Sequence, residues 1–123
     1  MPDDPVDERV LEALRALQKK GRPDFPAMIV GLYLETAPSV LKQLETAAQV
    51  GDIGLLHSAS HSLNSASALV GALRLSTYCN ELEAIARTGS APDSIERVQG
   101  IAEEYGKVEA ALRSWCDRHQ AAR

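Results

Sequence analysis

Apolar residues recur along this chain at three- and four-residue intervals, the period of an α-helix with one face turned inward. Val6, Val10, Leu14 and Leu17 make the first stripe, and Gly21 with Pro23 beyond it is a stop signal, so the spacing predicts a helix over 6–20. Asp24 is a side-chain cap for a second helix over 24–50, with Met28, Leu32, Leu34, Leu41 and Leu44 facing inward. Pro38 falls inside that run, and the period resumes after it, which predicts a kink rather than an end. Gly51-Asp52 punctuates, and Asp52 caps a third helix over 52–71 whose core face is Leu56, Ala59, Leu63, Ala66 and Val70. A fourth helix over 73–88 is expected to bury Leu75, Tyr78, Cys79, Leu82, Ile85 and Ala86. The stretch TGSAPDS is the clearest loop. Asp93 with Glu96 three residues later resembles a capping box, opening a last helix over 94–118 on Ile95, Val98, Ala102, Tyr105, Val108, Leu112 and Trp115. No hairpin signal, internal repeat or low-complexity tract interrupts the pattern. Short loops between long helices make antiparallel neighbours, so the expected fold is all-α: an up-down four-helix bundle with an additional N-terminal helix, in a single domain over 1–123.

The third helix carries the candidate chemistry. Residues 57–72 read HSASHSLNSASALVGA. With His61 as origin and roughly 100° per residue, His57, Asn64, Ser65 and Ala68 fall at about −40°, −60°, +40° and −20°. Leu56, Leu63, Ala66 and Val70 lie near the opposite side. His61 therefore points to solvent from a strip of small, polar residues. SASHSLNSASA holds no Asp, Glu, Lys or Arg, whereas an exposed helix face is ordinarily solvated by long charged side chains. Such a strip leaves room for another protein to approach one imidazole.

Three readings of that strip stand side by side: an ordinary surface or packed histidine, a metal pair and a reactive imidazole. Histidines at i and i+4 both reach one metal ion, but the residues between them are Ser58, Ala59 and Ser60, so there is no His-Glu-x-x-His pattern. Glu83 and the distant His119 are the further ligands available. Ser62 and Ser65 sit near His61 without a Gly-x-Ser-x-Gly elbow, and no Gly-rich phosphate cradle occurs, so neither triad hydrolysis nor ATP binding is expected.

Composition narrows the setting. Hydrophobic residues are 45% and charged residues 24%, ordinary for a globular chain, and the net charge of −4 argues against nucleic acid as a partner. Cys79 and Cys116 are far apart within apolar helical patterns and read as reduced core thiols. The acidic start MPDDPVDERV has no apolar signal core, and no stretch has the length of apolar residues a membrane span needs. A cytoplasmic location without direct membrane contact is expected, for a free-standing domain or one cut from a larger protein.

The residues from His61 to Ala72 resemble the histidine-containing phosphotransfer (HPt) family of two-component phosphorelays. Its signature is close to His-x-Leu-Lys-Gly-Ser-Ser/Ala-x-x-Leu-Gly-Ala, and this chain follows it without a gap. Cys79, Leu82, Glu83, Arg87 and Gly89 are similar to the family's next stretch, and the Gly-x-x-Asp-Phe entry with its Pro-containing helix resembles residues 21–44. The resemblance implies that His61 carries a phosphoryl group received from, and returned to, receiver-domain aspartates. It implies that Glu83 orients the imidazole and that Arg87 supports the phosphate charge. On this reading, the strip that helix geometry places around His61, with His57, Asn64, Ser65 and Ala68, is the face on which a response-regulator receiver is expected to dock; His57 is not a signature residue. The resemblance implies that the receiver, either separate or part of a membrane-bound hybrid sensor kinase of which this chain would be the C-terminal domain, supplies Mg²⁺, so this domain is expected to need no cofactor or metal and to be a phosphoryl carrier with no kinase activity of its own. A free imidazole titrates near pH 6.5, so an exposed ring is a largely neutral nucleophile at pH 7. Two departures stand out. Asn64 replaces the family Lys, and Ser65 replaces its Gly, which leaves a domain that docks a receiver without efficient transfer as the alternative.

Overall fold

The computed structural model describes residues 4–17 and 24–121, and the expected stop at Gly21 and Pro23 lies outside them. Five helices follow in order: α1 (Glu8–Arg15), α2 (Phe25–Val50), α3 (Ile53–Leu69), α4 (Leu73–Arg87) and α5 (Ser94–Ala121). No strand occurs among the described residues. Helices α2 to α5 close a ring, α2 packing on α3, α3 on α4, α4 on α5 and α5 back on α2, while α1 rests against α2. This is the antiparallel four-helix bundle with an N-terminal helix that the periodicity predicts.

The local chemistry explains where the elements begin and end. The Asp24 carboxylate accepts from the Ala27 N–H at 3.2 Å, with Pro26 in the first turn, where its missing N–H costs nothing. Helix α2 then runs unbroken through Pro38. It stops at Gly51, whose φ of 73° is a left-handed cap. One residue later Asp52 opens α3 by accepting from the Leu55 N–H at 3.0 Å.

The core is aliphatic. Val30, Leu44, Leu56, Leu63, Leu75, Leu82, Ile101, Val108 and Leu112 are fully buried, with Trp115 and the tilted pair Tyr33 and Tyr105 beside them. The Tyr33 and Ser67 hydroxyls bond at 2.9 Å, which settles both polar groups inside the bundle. Cys79 is buried and free, and burial pushes its thiol up to about 12, so it packs as a small apolar side chain. Cys116 is half-buried and free.

Some expected core positions face water instead. Met28 and Leu32 are 56% and 57% exposed, and Leu17, Tyr78 and Ile95 are exposed as well. Helix α2 is apolar around much of its circumference, so periodicity does not single out the sector that Val30, Tyr33 and Ala37 bury. In α1 the helix ends at Arg15, and Leu11 rather than Val10 is fully buried alongside Leu14. No described helix is long and apolar enough to cross a membrane.

Candidate functional site

Helix α3 presents two faces of different character. Leu56, Ala59, Leu63 and Ser67 point into the bundle. The Ser60 hydroxyl is also buried and returns to the Leu56 carbonyl at 2.6 Å, so it belongs to the core side and not to the docking strip. His61 faces outward, with 63% of its side chain exposed. Ser58, Ser62, Ser65 and Ala68 are exposed around it, His57 and Asn64 are half-buried, and Leu69 adds an exposed apolar side chain at the end of the helix.

The carboxylate of Glu83, on α4, is 7% exposed and lies beneath this strip. One of its oxygens, Oε1, is shared by three partners. His61 Nδ1 donates to it at 2.9 Å. Arg87 donates from Nη2 at 3.3 Å, and His57 Nε2 stands 3.8 Å away, too far for a hydrogen bond but close enough for a charge contact. Burial alone pushes the Glu83 carboxyl up, but the His61 hydrogen bond and the charges of His61, Arg87 and His57 outweigh it, and the group is held below the usual carboxylate value. A carboxylate has no proton to give, so His61 Nδ1 must carry the hydrogen. In the neutral ring that places the free lone pair on Nε2, away from α4 and toward solvent.

His61, Glu83, Arg87 and His57 therefore meet at one carboxylate oxygen. Asn64 turns to a different partner: its Oδ1 accepts from the Ser76 hydroxyl of α4. Ser65 and Ala68 are exposed on the His61 side. Glu83 and Arg87 form an i, i+4 ion pair, but the Glu83 side chain is buried rather than solvated. Sequence reasoning missed Ser76. Its only sequence-level sign is its place seven residues before Glu83, two turns earlier on the same face of α4. His119 does not join this cluster: it is stacked on Trp115 at 4.7 Å between ring centres and bonded to Asp24. No group of three or more His, Cys, Asp or Glu side chains is arranged to hold a metal ion among the described residues.

His61 is thus an imidazole tied at one nitrogen and open at the other, on the surface of a four-helix bundle. Comparison with known proteins gives the family. The Hpt domain model matches residues 28–121, and the chain belongs to that family, the HPt proteins of two-component phosphorelays. Among solved structures, it is similar to histidine-containing phosphotransfer protein B (HptB) from Pseudomonas aeruginosa PAO1, with a TM-score of 0.84 and 26% identity over 94% of this chain and 97% of that one. No curated protein sequence matches it.

Proposed function

We propose that His61 is the phosphoryl carrier of this HPt protein, accepting the group from one receiver-domain aspartate and passing it to another. The hydrogen bond between His61 Nδ1 and Glu83, made while the ring stays open to solvent, carries this reading. Nε2 attacks the phosphorus of an aspartyl phosphate. The P–Nε2 bond forms as the P–O bond breaks, and the aspartate leaves as a carboxylate. Glu83 fixes the ring and favours the positive charge that the imidazole gains as it is phosphorylated. Arg87, held at the same carboxylate, adds positive charge beside the incoming phosphoryl group. The receiver brings Mg²⁺ and the acidic pocket, so the carrier supplies position and needs no metal, cofactor or ATP of its own.

The receiver docks over His57, Asn64, Ser65 and Ala68. Exposed Leu69 continues this face at the end of α3. The Tyr33–Ser67 bond sets the N-terminal half of α2 beside that end, where Met28 and Leu32 are exposed. Apolar side chains around a polar reactive centre suit a transient protein interface. The partner is a response-regulator receiver, free or part of a hybrid kinase, in the cytoplasm.

The test is incubation with phosphorylated receiver domains, scored by label on the protein that acid removes and base does not. Transfer to the parent protein and none to His61→Gln is the expected result. A second reading, docking without efficient transfer, is favoured by Asn64 and Ser65 in place of Lys and Gly. It predicts a stable complex with unlabelled protein.

A further inference from the structure

We infer that Ser76 is a positioning residue for phosphotransfer, because it fixes the side-chain amide of Asn64 with its N–H donors turned toward the phosphoryl site. The inference rests on His61 being the carrier. Its starting point is a hydroxyl that behaves differently from its neighbours. Thr36, Ser60 and Thr77 each turn back to the carbonyl four residues earlier, at 2.9, 2.6 and 3.0 Å. This is the usual resting place of a hydroxyl inside a helix. Ser76 lies within α4, and its corresponding carbonyl would be that of Ala72. Its hydroxyl instead reaches across to α3 and donates to Asn64 Oδ1.

That donation sets the polarity of the amide. With Oδ1 engaged at α4, Nδ2 occupies the other branch, and it donates to no protein group among the described residues. Asn64 follows His61 by three residues, and such helix neighbours have Cβ atoms about 5–6 Å apart. Both side chains lean toward α4, His61 to Glu83 and Asn64 to Ser76. In the proposed arrangement, a phosphoryl group on Nε2, extending outward from the ring, meets the free amide donors. Asn64 thus offers a neutral hydrogen bond where the family Lys offers a charge, and Ser76 keeps the amide carbonyl from being presented to an anion. An unfixed amide rotates freely between an attractive and a repulsive orientation.

Chemical phosphorylation tests this without a receiver. With phosphoramidate, the P–N bond of the reagent breaks, a P–Nε2 bond forms on His61 and ammonia leaves. Three observations are expected. The Asn64 side-chain amide protons shift on phosphorylation in the parent protein. Ser76→Ala slows labelling by about 2- to 10-fold, the range of one net hydrogen bond, and Ser76→Thr, which keeps the hydroxyl, restores it. In an Asn64→Lys background, Ser76→Ala changes the labelling rate little, because the ammonium has no carbonyl end to be misdirected. A merely structural Ser76 would lower stability equally in both backgrounds and leave labelling unchanged, and that result overturns the proposal. Equal slowing of labelling in both backgrounds overturns it as well. Label on His61 with no Asn64 amide shift removes this inference alone. Absence of label from both phosphoramidate and phosphorylated receivers removes the carrier reading along with it.

Discussion

At the scale of single residues, the site assigns different work to two histidines on one face. His61 donates to Glu83 at 2.9 Å and His57 only approaches it at 3.8 Å. His61→Gln should abolish labelling from a phosphorylated receiver and leave the thermal midpoint nearly unchanged, because an exposed side chain adds little to the core. His57→Gln should lower the rate modestly. Label that survives in His61→Gln and vanishes in His57→Gln would put the carrier one helical turn earlier. Glu83 makes a separate prediction about pH. The folded state holds its carboxyl below the ordinary value of 4.5, so the unfolded chain binds more protons between the two values. The resulting stabilisation is complete above about pH 4.5 and is lost as pH falls through the folded value. Glu83→Gln keeps an acceptor for Nδ1–H and removes that titration. Its thermal midpoint should decline less steeply than the parent's from pH 5 to pH 3, and parallel curves would count against this account.

At the scale of elements, the helix that carries His61 depends on the residue that caps it. Asp52 supplies the α3 cap, and no acidic residue in the first turn of α3 shares that work. Asp52→Ala should cost about 0.5–2 kcal/mol in denaturant unfolding and Asp52→Ser much less. Equal loss in both would assign the effect to charge instead of capping. The caps at Asp24 and Asp52 and the αL stop at Gly51 were legible because each is a local interaction between near neighbours in sequence. The outward direction of His61 was legible for the same reason, since helix geometry relates it to Leu56 and Leu63. The inward sector of α2 was not, because Met28 and Leu32 differ from Val30 and Tyr33 only in which side of an apolar helix its neighbours cover. The burial of Glu83 and the Ser76–Asn64 bond depend on how α4 is set against α3, which no local pattern records. For Glu83 the family resemblance supplied the role, whereas for Ser76 nothing did.

At the scale of the whole molecule, α1 is fastened to the bundle at a point far from it in sequence. The Asp7 N–H donates to the Gly71 carbonyl at 2.8 Å, at the turn joining the histidine helix to α4. Val6, Leu11 and Leu14 are buried, and Arg118 of α5 pairs with Glu8 at 2.8 Å. Gly71 allows the fastening in two ways. Its φ is +82°, and a Cβ there would lie 2.5 Å from the Asp7 carbonyl oxygen and 3.1 Å from Val10 Cβ. Gly89 separates the two effects, since its φ is +89° but a Cβ there meets nothing within 4 Å. Gly89→Ala should therefore show only the backbone cost, about 1–2 kcal/mol. Gly71→Ala should show that cost and also displace the segment before α1, because backbone atoms of Asp7 have no rotamer with which to yield. Amide exchange across Glu8–Arg15 should accelerate in Gly71→Ala and stay as in the parent in Gly89→Ala, while α2 to α5 remain protected in both. Labelling of His61 should persist in Gly71→Ala, since His61, Glu83 and Arg87 hold one another through bonds between α3 and α4 and within α4. If the α1 amides exchange alike in the two variants, the close approach at Asp7 is not what seats the N-terminal helix, and its attachment must rest on the buried Leu11 and Leu14 and on the Glu8–Arg118 pair.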